Sequence, residues 1–185
     1  MLYHEELKIN KDRLAVLIGK KGETKRVIES RTETKIKVDS KEGDVIINGS
    51  DSLKVYLTKL IILAISRGFN PDIAVLLANE NMIIEVINIQ DFSGKSKSKE
   101  IRTKGRLIGT QGKAKHLIEQ LTNTDISIYG KTVAIIGKVE NAILARRALE
   151  MLLKGSKHGN VYSWLEKQQQ HLKEAESGFE TGLEN

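Results

Sequence analysis

Cysteine is absent from these 185 residues. That removes disulfides, thiolate nucleophiles and thiolate metal ligands. Aromatic side chains make up only 4% of the chain, which excludes a surface built mainly of stacking rings. No apolar run approaches the roughly 18 residues that a membrane-spanning helix needs. Leu60-Ile61-Ile62-Leu63-Ala64-Ile65 is short and suits a buried helix, and Met1 to Asn10 lacks the apolar stretch of a signal peptide. A soluble, cytoplasmic protein with no membrane partner is expected. The histidines are scattered at His4, His116, His158 and His171, without the paired spacing of a metal site. No Asp/Glu cluster suggests a two-metal nuclease. Ser93-Gly94-Lys95-Ser96 imitates the end of a phosphate loop, but Ile89 stands where that motif needs a glycine. No metal, cofactor or catalytic residue is expected.

What the chain does have is repetition. Residues 18–38 and 108–128 align without a gap, with nine identities in twenty-one positions. Ile18-Gly19-Lys20-Lys21-Gly22 answers Ile108-Gly109-Thr110-Gln111-Gly112, and the match continues through Ile28-Glu29/Ile118-Glu119, Thr32/Thr122, Thr34/Thr124 and Ile36/Ile126. After a slip of two residues, Val45-Ile46-Ile47-Asn48-Gly49 lines up with Val133-Ala134-Ile135-Ile136-Gly137. The chain is a tandem duplication of one small domain.

Each copy has the same element order. In the first, a strand over Glu5–Ile9 leads through Lys11-Asp12-Arg13 to a helix over Leu14–Ile18. The glycine loop, a helix from Glu23 to about Arg31, an alternating strand at Thr34–Val38 and a second strand at Val45–Ile47 follow. Asp51 or Ser52 can cap a long helix from Leu53, which Gly68 stops. In the second copy the strand is Met82–Ile89, and a polar insert, Asp91–Lys99, precedes a helix over Ile101–Ile108. A helix over Lys113–Leu121, strands at Ile126–Tyr129 and Val133–Ile136, and a helix over Val139–Leu153 complete it. Asn70-Pro71-Asp72 breaks the first long helix, and the connector to Asn79 carries Ile73, Val75, Leu76 and Leu77. Those apolar residues predict that the copies pack into one rigid body. Val161, Trp164, Leu165, Gln168 and Leu172 recur at helical spacing, so a C-terminal helix docking Trp164 is expected. The boundaries are 1–79, 80–158, a helix over 159–176, and a polar, disordered tail over 177–185.

Two glycines three apart, between helices, allow a tight turn with no Cβ in the way. A phosphodiester backbone can approach such a loop, and the free N–H groups of the next helix favour anions. Gly19, Lys20, Lys21, Gly22, Lys25 and Arg26 are the candidate nucleic-acid contacts of the first copy, with Ile36 and Val38 as an apolar floor for bases. In the second they are Gly109, Thr110, Gln111, Gly112, Lys113 and Lys115, with Ile126 and Ile128 as the floor. Arg102, Lys104 and Arg106 add cations just before that loop. Tyr129 is a stacking candidate whose other role is a packed edge residue.

Both copies resemble K-homology (KH) domains, a module whose Gly-x-x-Gly loop clamps about four nucleotides of a single strand. The order strand-helix-helix-strand-strand-helix resembles the type I version. The implied fold is α+β: two tandem type I KH domains, each a three-stranded sheet backed by three helices, plus a C-terminal helix. The second half, from Arg102-Thr103-Lys104-Gly105-Arg106 through Ala145-Arg146-Arg147-Ala148 to Gly155-Ser156-Lys157-His158-Gly159-Asn160-Val161-Tyr162, is similar to the KH family of small-subunit ribosome assembly. Its eukaryotic members partner the Nob endonuclease and have a degenerate first glycine loop. Here Gly19-Lys20-Lys21-Gly22 is intact, as in archaeal relatives. The resemblance implies binding near the 3′ end of small-subunit ribosomal RNA. It also implies a Nob-type endonuclease and the alpha subunit of archaeal initiation factor two as partners.

Charge is unevenly spread. Residues 1–79 hold 14 basic and 11 acidic side chains (+3), residues 80–159 hold 14 and 8 (+6), and residues 160–185 hold 2 and 5 (−3). A basic second copy suits a polyanion and is expected to supply most of the affinity, with Arg146 and Arg147 adding to it. Two alternatives stay open at this level: a regulator of other single-stranded RNA, and an RNA-positioning subunit of a processing nuclease.

Overall fold

The structure is a computed structural model that describes the backbone of residues 2–180 and the side chains of residues 2–171. Its first unit runs β1 (Tyr3–Lys8), α1 (Lys11–Ile18), α2 (Glu23–Thr32), β2 (Lys35–Asp39), β3 (Asp44–Gly49) and α3 (Ser52–Ser66). A short α4 (Pro71–Ala74) and a 3-10 turn over Val75–Ala78 lead onward. The second unit runs β4 (Met82–Asn88), a single turn α5 (Gln90–Ser93), α6 (Lys97–Ile108), α7 (Lys113–Thr122), β5 (Asp125–Tyr129), β6 (Thr132–Lys138) and α8 (Val139–Leu153). Finally, α9 covers His158–Glu180. Each unit holds an antiparallel sheet with the third strand in the middle, β1-β3-β2 and β4-β6-β5. The expected element order holds throughout.

Two boundaries moved, for local reasons. The insert expected over Asp91–Lys99 is partly helical, because Phe92 packs on the second core, Ser93 is buried, and the Ser96 hydroxyl accepts from the Lys99 N–H at 3.5 Å. Helix α9 continues past Ser177, where a tail was expected, and residues 181–185 lie outside the described residues. Between the two candidate caps of α3, Asp51 serves: its Oδ1 accepts from Leu53 N–H at 2.8 Å and Lys54 N–H at 3.3 Å.

The two units pack face to face. Along β4 and β6 the side chains alternate between two cores. Ile83, Ile87, Val133 and Ile135 face α6, α7 and α8, whereas Ile84, Val86, Ala134 and Ile136 join the core of the first unit. Val133, Ala134, Ile135 and Ile136 are all fully buried, so β6 is covered on both faces. Helix α3 lies between the sheets, with Ile61, Ile62, Ala64 and Ile65 fully buried, which is why it is apolar almost all round. The connector contributes Phe69, Ala74 and Leu77 to this layer. Polar ties hold it too. Arg13 donates to the carbonyls of Ile65 (2.7 Å) and Phe69 (2.6 Å) and lies 5.6 Å from the centroid of the Tyr129 ring. Tyr129 is therefore a packed residue between the units. Ser127 donates to the Arg67 carbonyl at 2.9 Å.

The C-terminal helix is anchored differently from expectation. Val161 and Leu165 are fully buried, while Trp164 only packs half-buried against the core. The side chain of Leu172 lies outside the described residues.

Gly68 tests the packing between units. Its φ is +99°, and a Cβ there would meet Ser127 Oγ at 2.6 Å and Tyr129 Cβ at 2.7 Å. Gly68→Ala is expected to destabilise by about 1–3 kcal/mol, lowering the melting temperature by about 3–10 °C. Thermal unfolding followed by circular dichroism checks this; a variant melting with the parent would show that the contact carries no weight.

Candidate nucleic-acid interface

The two glycine loops are built alike, and each glycine has its own reason. Gly19 and Gly109 have φ of +70° and +72°. A Cβ on Gly19 would collide with the Thr24 side chain, and one on Gly109 would stand 2.6 Å from Ala114 Cβ. The first glycine is thus required by the close approach of the next helix. Gly22 and Gly112 have φ of +78° and +77°, and nothing lies within 4 Å of an added Cβ. There the left-handed conformation alone requires glycine, and the open backbone leaves room for a phosphate. Lys21 and Gln111 between them are also left-handed, at φ 53° and 54°. This turn points both middle side chains outward: Lys20, Lys21, Thr110 and Gln111 are all exposed.

A carboxylate joins each loop-bearing helix to the edge strand beside it. Glu29 Oε1 accepts from the Ile36 N–H at 2.8 Å, and Glu119 Oε1 accepts from the Ile126 N–H at 2.8 Å. Below them, the Thr32 and Thr34 hydroxyls meet at 2.8 Å, as do those of Thr122 and Thr124. The Thr-x-Thr signature thus closes the end of the helix onto the strand. Asp125, at the start of β5, has its carboxyl pushed upward, first by burial and then by the nearby charge of Glu119.

Several expected contacts are committed elsewhere. Lys25 pairs with Glu29 at 3.2 Å, Lys115 with Glu119 at 2.8 Å, and Lys104 with Glu100 at 2.6 Å. Arg26 braces the first loop by donating to the Lys21 carbonyl at 2.8 Å and the Gly22 carbonyl at 3.3 Å. Arg106 donates to the Ser156 carbonyl at 2.7 Å. Arg146 is held by Glu85 and by Glu150, the latter at 2.9 Å. Ile36 and Ile126, expected as an open floor, are 2% and 3% exposed and belong to the cores; Val38 and Ile128 are the half-buried members of those strands. Among the described residues, Lys20, Lys21, Arg102 and Lys113 remain outside any ion pair.

Two further residues stand at the second loop that the sequence reading left out. His158 and Tyr162 of α9 share a cleft of about 500 Å³ with Arg102, Arg106, Thr110 and Lys113. His158 Nε2 donates to the Arg106 carbonyl at 2.8 Å. Nothing in linear spacing places position 158 beside position 106. Beside the first loop a groove of about 660 Å³ is lined by Lys20, Lys21, Arg26 and Arg31 along the open side of α2.

The unequal roles of the two glycines have a measurable consequence. Gly112→Ala meets only the cost of a left-handed residue, about 1–2 kcal/mol. Gly109→Ala adds a collision with Ala114 that the helix backbone cannot relieve, so its cost is expected to exceed that of Gly112→Ala by about 1 kcal/mol or more. Urea unfolding of the two variants gives the order. Equal losses would contradict it.

Residues 4–63 match the family model described as KH domain, and residues 83–170 match the one described as eukaryotic type KH-domain (KH-domain type I). A KH domain-containing protein of Methanocaldococcus jannaschii is 45% identical over 175 residues, covering 92% of this chain and 76% of that protein. The pre-rRNA-processing protein pno1 of Aspergillus oryzae is 33% identical over 113 residues, 60% of this chain and 44% of the longer relative. Among solved structures, the complex of a/eIF2alpha, aDim2p and rRNA from Pyrococcus horikoshii holds a chain that is 44% identical. It superposes with a TM-score of 0.86 over 92% of this chain and 96% of that one. Two duplicated sheets, two built glycine loops and these likenesses together place the chain in the KH-domain family, as an archaeal-type homologue of the PNO1/Dim2 proteins.

Proposed function

We propose that this protein is a non-catalytic RNA-binding factor of ribosome maturation, which holds single-stranded RNA near the 3′ end of small-subunit ribosomal RNA. The observation that carries the reading is the pair of intact glycine loops. Each presents an unobstructed backbone at its second glycine and exposed side chains at its two middle positions. Its relatives bear names of pre-rRNA processing, and the Pyrococcus complex joins such a chain to rRNA and a/eIF2alpha. The same two partners, together with a Nob-type endonuclease, fit the role proposed here. Work on nascent ribosomal subunits would place the protein in the cytoplasm. Among the described residues no helix is long and apolar enough to cross a membrane.

Crosslinking in cells followed by sequencing of the attached RNA tests the target. Reads are expected to pile up at the 3′ end of small-subunit ribosomal RNA; a spread over messenger RNAs would overturn the assignment and favour a general RNA regulator.

The second loop is expected to supply most of the affinity, because, among the described residues, Arg102 and Lys113 stand outside any ion pair and line the cleft beside it. Thr110→Asp with Gln111→Asp places two carboxylates where a phosphate must lie. Like charges at such range repel by about 1 kcal/mol or more even near water, so affinity should fall about tenfold or more for every sequence tested. Lys20→Gln with Lys21→Gln should cost less. Fluorescence anisotropy with labelled RNA ranks the loops, and a larger loss at Lys20/Lys21 would reverse the order.

A further inference from the structure

The two copies serve as controls for each other. Gly68 and Gly155 follow α3 and α8 with φ of +99° and +100°, and in both copies a helix begins three residues later, at Pro71 and at His158. Each of these helices closes a cleft against the glycine-loop helix of its own copy. In the first copy the cleft holds about 160 Å³, between Glu23 and Thr24 on one side and Pro71, Asp72 and Val75 on the other. In the second it holds about 500 Å³. By the register of the duplication, Glu23 has become Lys113, Pro71 has become His158, Val75 has become Tyr162, and Asp12 and Val16 of α1 have become Arg102 and Arg106. The seam between the glycine-loop helix and the helix that follows Gly68 or Gly155 is small, acidic and without rings in the first copy, and larger, basic and aromatic in the second.

The enlarged cleft is held in shape. Arg106 donates to the Ser156 carbonyl at 2.7 Å and His158 donates to the Arg106 carbonyl at 2.8 Å, which fixes the end of α6 to the start of α9. The rings of His158 and Tyr162 lie 6.1 Å apart, tilted by 52°. Among the described residues, the buried Nε of Arg106 has no acceptor. Lys115 and Glu119 of α7 turn toward β5, whereas Lys113 lines the cleft beside α9. The cleft therefore lies on the flank of α7 away from the edge strand, and Gly109 and Thr110 border it. A strand clamped at the loop can run into it without leaving the protein.

We propose that this cleft is an additional nucleotide subsite, which takes the phosphate and base that follow the segment clamped at Gly109–Gly112. The proposal rests on the RNA-binding reading above. Arg102 and Lys113 supply charge for a phosphate, and the Tyr162 ring supplies a face for a base. The volume falls within the range of about 300–1,000 Å³ typical of small-ligand sites. An acidic protein segment would use the cations but not the ring.

Binding of single-stranded RNAs of about four and about eight nucleotides, followed by anisotropy, tests it; the shorter one fills only the glycine-loop clamp. The longer RNA is expected to bind about tenfold more tightly than the shorter. Tyr162→Leu should remove about tenfold from the longer RNA and leave the shorter unchanged. Tyr162→Phe, which keeps the ring, should bind as the parent does, separating the role of the ring from loss of fold. Arg102→Gln should flatten the salt dependence of the longer RNA by about 0.7 in the log–log slope, one phosphate contact of a single strand. Equal affinity of Tyr162→Leu and parent for the longer RNA, or equal loss at both lengths, overturns the subsite. If the Thr110/Gln111 aspartate pair abolishes both affinities while Tyr162→Leu changes neither, the cleft fails and the RNA-binding reading stands. If that pair changes neither, the second loop does not hold the RNA and the cleft beside it fails; if the parent binds neither RNA, the RNA-binding reading fails and the cleft with it.

Discussion

One carboxylate in each copy holds the interface together. Glu29 and Glu119 reach from the loop-bearing helix to the N–H of the second residue of the neighbouring edge strand, at 2.8 Å in both copies. An edge strand has unpaired donors by construction, and a buried donor without an acceptor costs about 1–3 kcal/mol. The glutamate meets that need and sets the distance between α2 and β2, or α7 and β5, which are the two walls beside the glycine loop. Lys25 and Lys115, one helical turn earlier, neutralise the same carboxylates. They lie near the loop and yet serve the scaffold. This is why only part of the local positive charge is available to a ligand.

The second constraint is the burial of the second sheet on both faces. In the first sheet β3 alternates, with Val45 and Ile47 buried and Ile46 and Asn48 only half-buried. In β6 the corresponding run Val133-Ala134-Ile135-Ile136 is buried throughout. A strand covered on both sides is continuously apolar, as parallel core strands are, and here the cover is α3 and the connector. The copies therefore form one layered body, sheet on helices on sheet on helices. The two glycine loops are held in a fixed relation to each other, with no flexible linker between them.

Much of this was legible in the sequence because the decisive signals are local. The glycine spacing, the Thr-x-Thr pair, the alternating strands and the Asp51 cap each act within a few residues of themselves. What was missed depended on partners far along the chain. Ile36 and Ile126 alternate correctly for a strand, but periodicity cannot say which face a third element will cover. Arg106 looks like a free cation until Ser156 accepts from it fifty residues later. Trp164 is the largest apolar residue of the last helix, yet Val161 and Leu165 face α7 and α8 more completely. The run in β6 did carry the signal for docking of the two units: four consecutive apolar residues where the first copy has Val45-Ile46-Ile47-Asn48.

Chain topology explains why two copies of one domain diverged where they did. The segment after α3 must deliver the chain to β4, and the residues from Gly68 to Asn79 do this while burying Phe69, Ala74 and Leu77 between the sheets. Pro71 and Val75 are thereby drawn against α2, leaving only about 160 Å³ in the seam between that helix and the connector, while the open groove of about 660 Å³ beside the first loop lies outside that seam. The segment after α8 has no later strand to reach among the described residues. It can extend as one long helix, α9, in which Val161 and Leu165 are buried and Tyr162 and Trp164 pack half-buried on the second core. Its first turns are then free to carry polar and aromatic side chains toward the second loop without breaking a core. Duplication supplied two glycine-loop clamps, and the chain's onward path left a last helix to line a cleft beside the second.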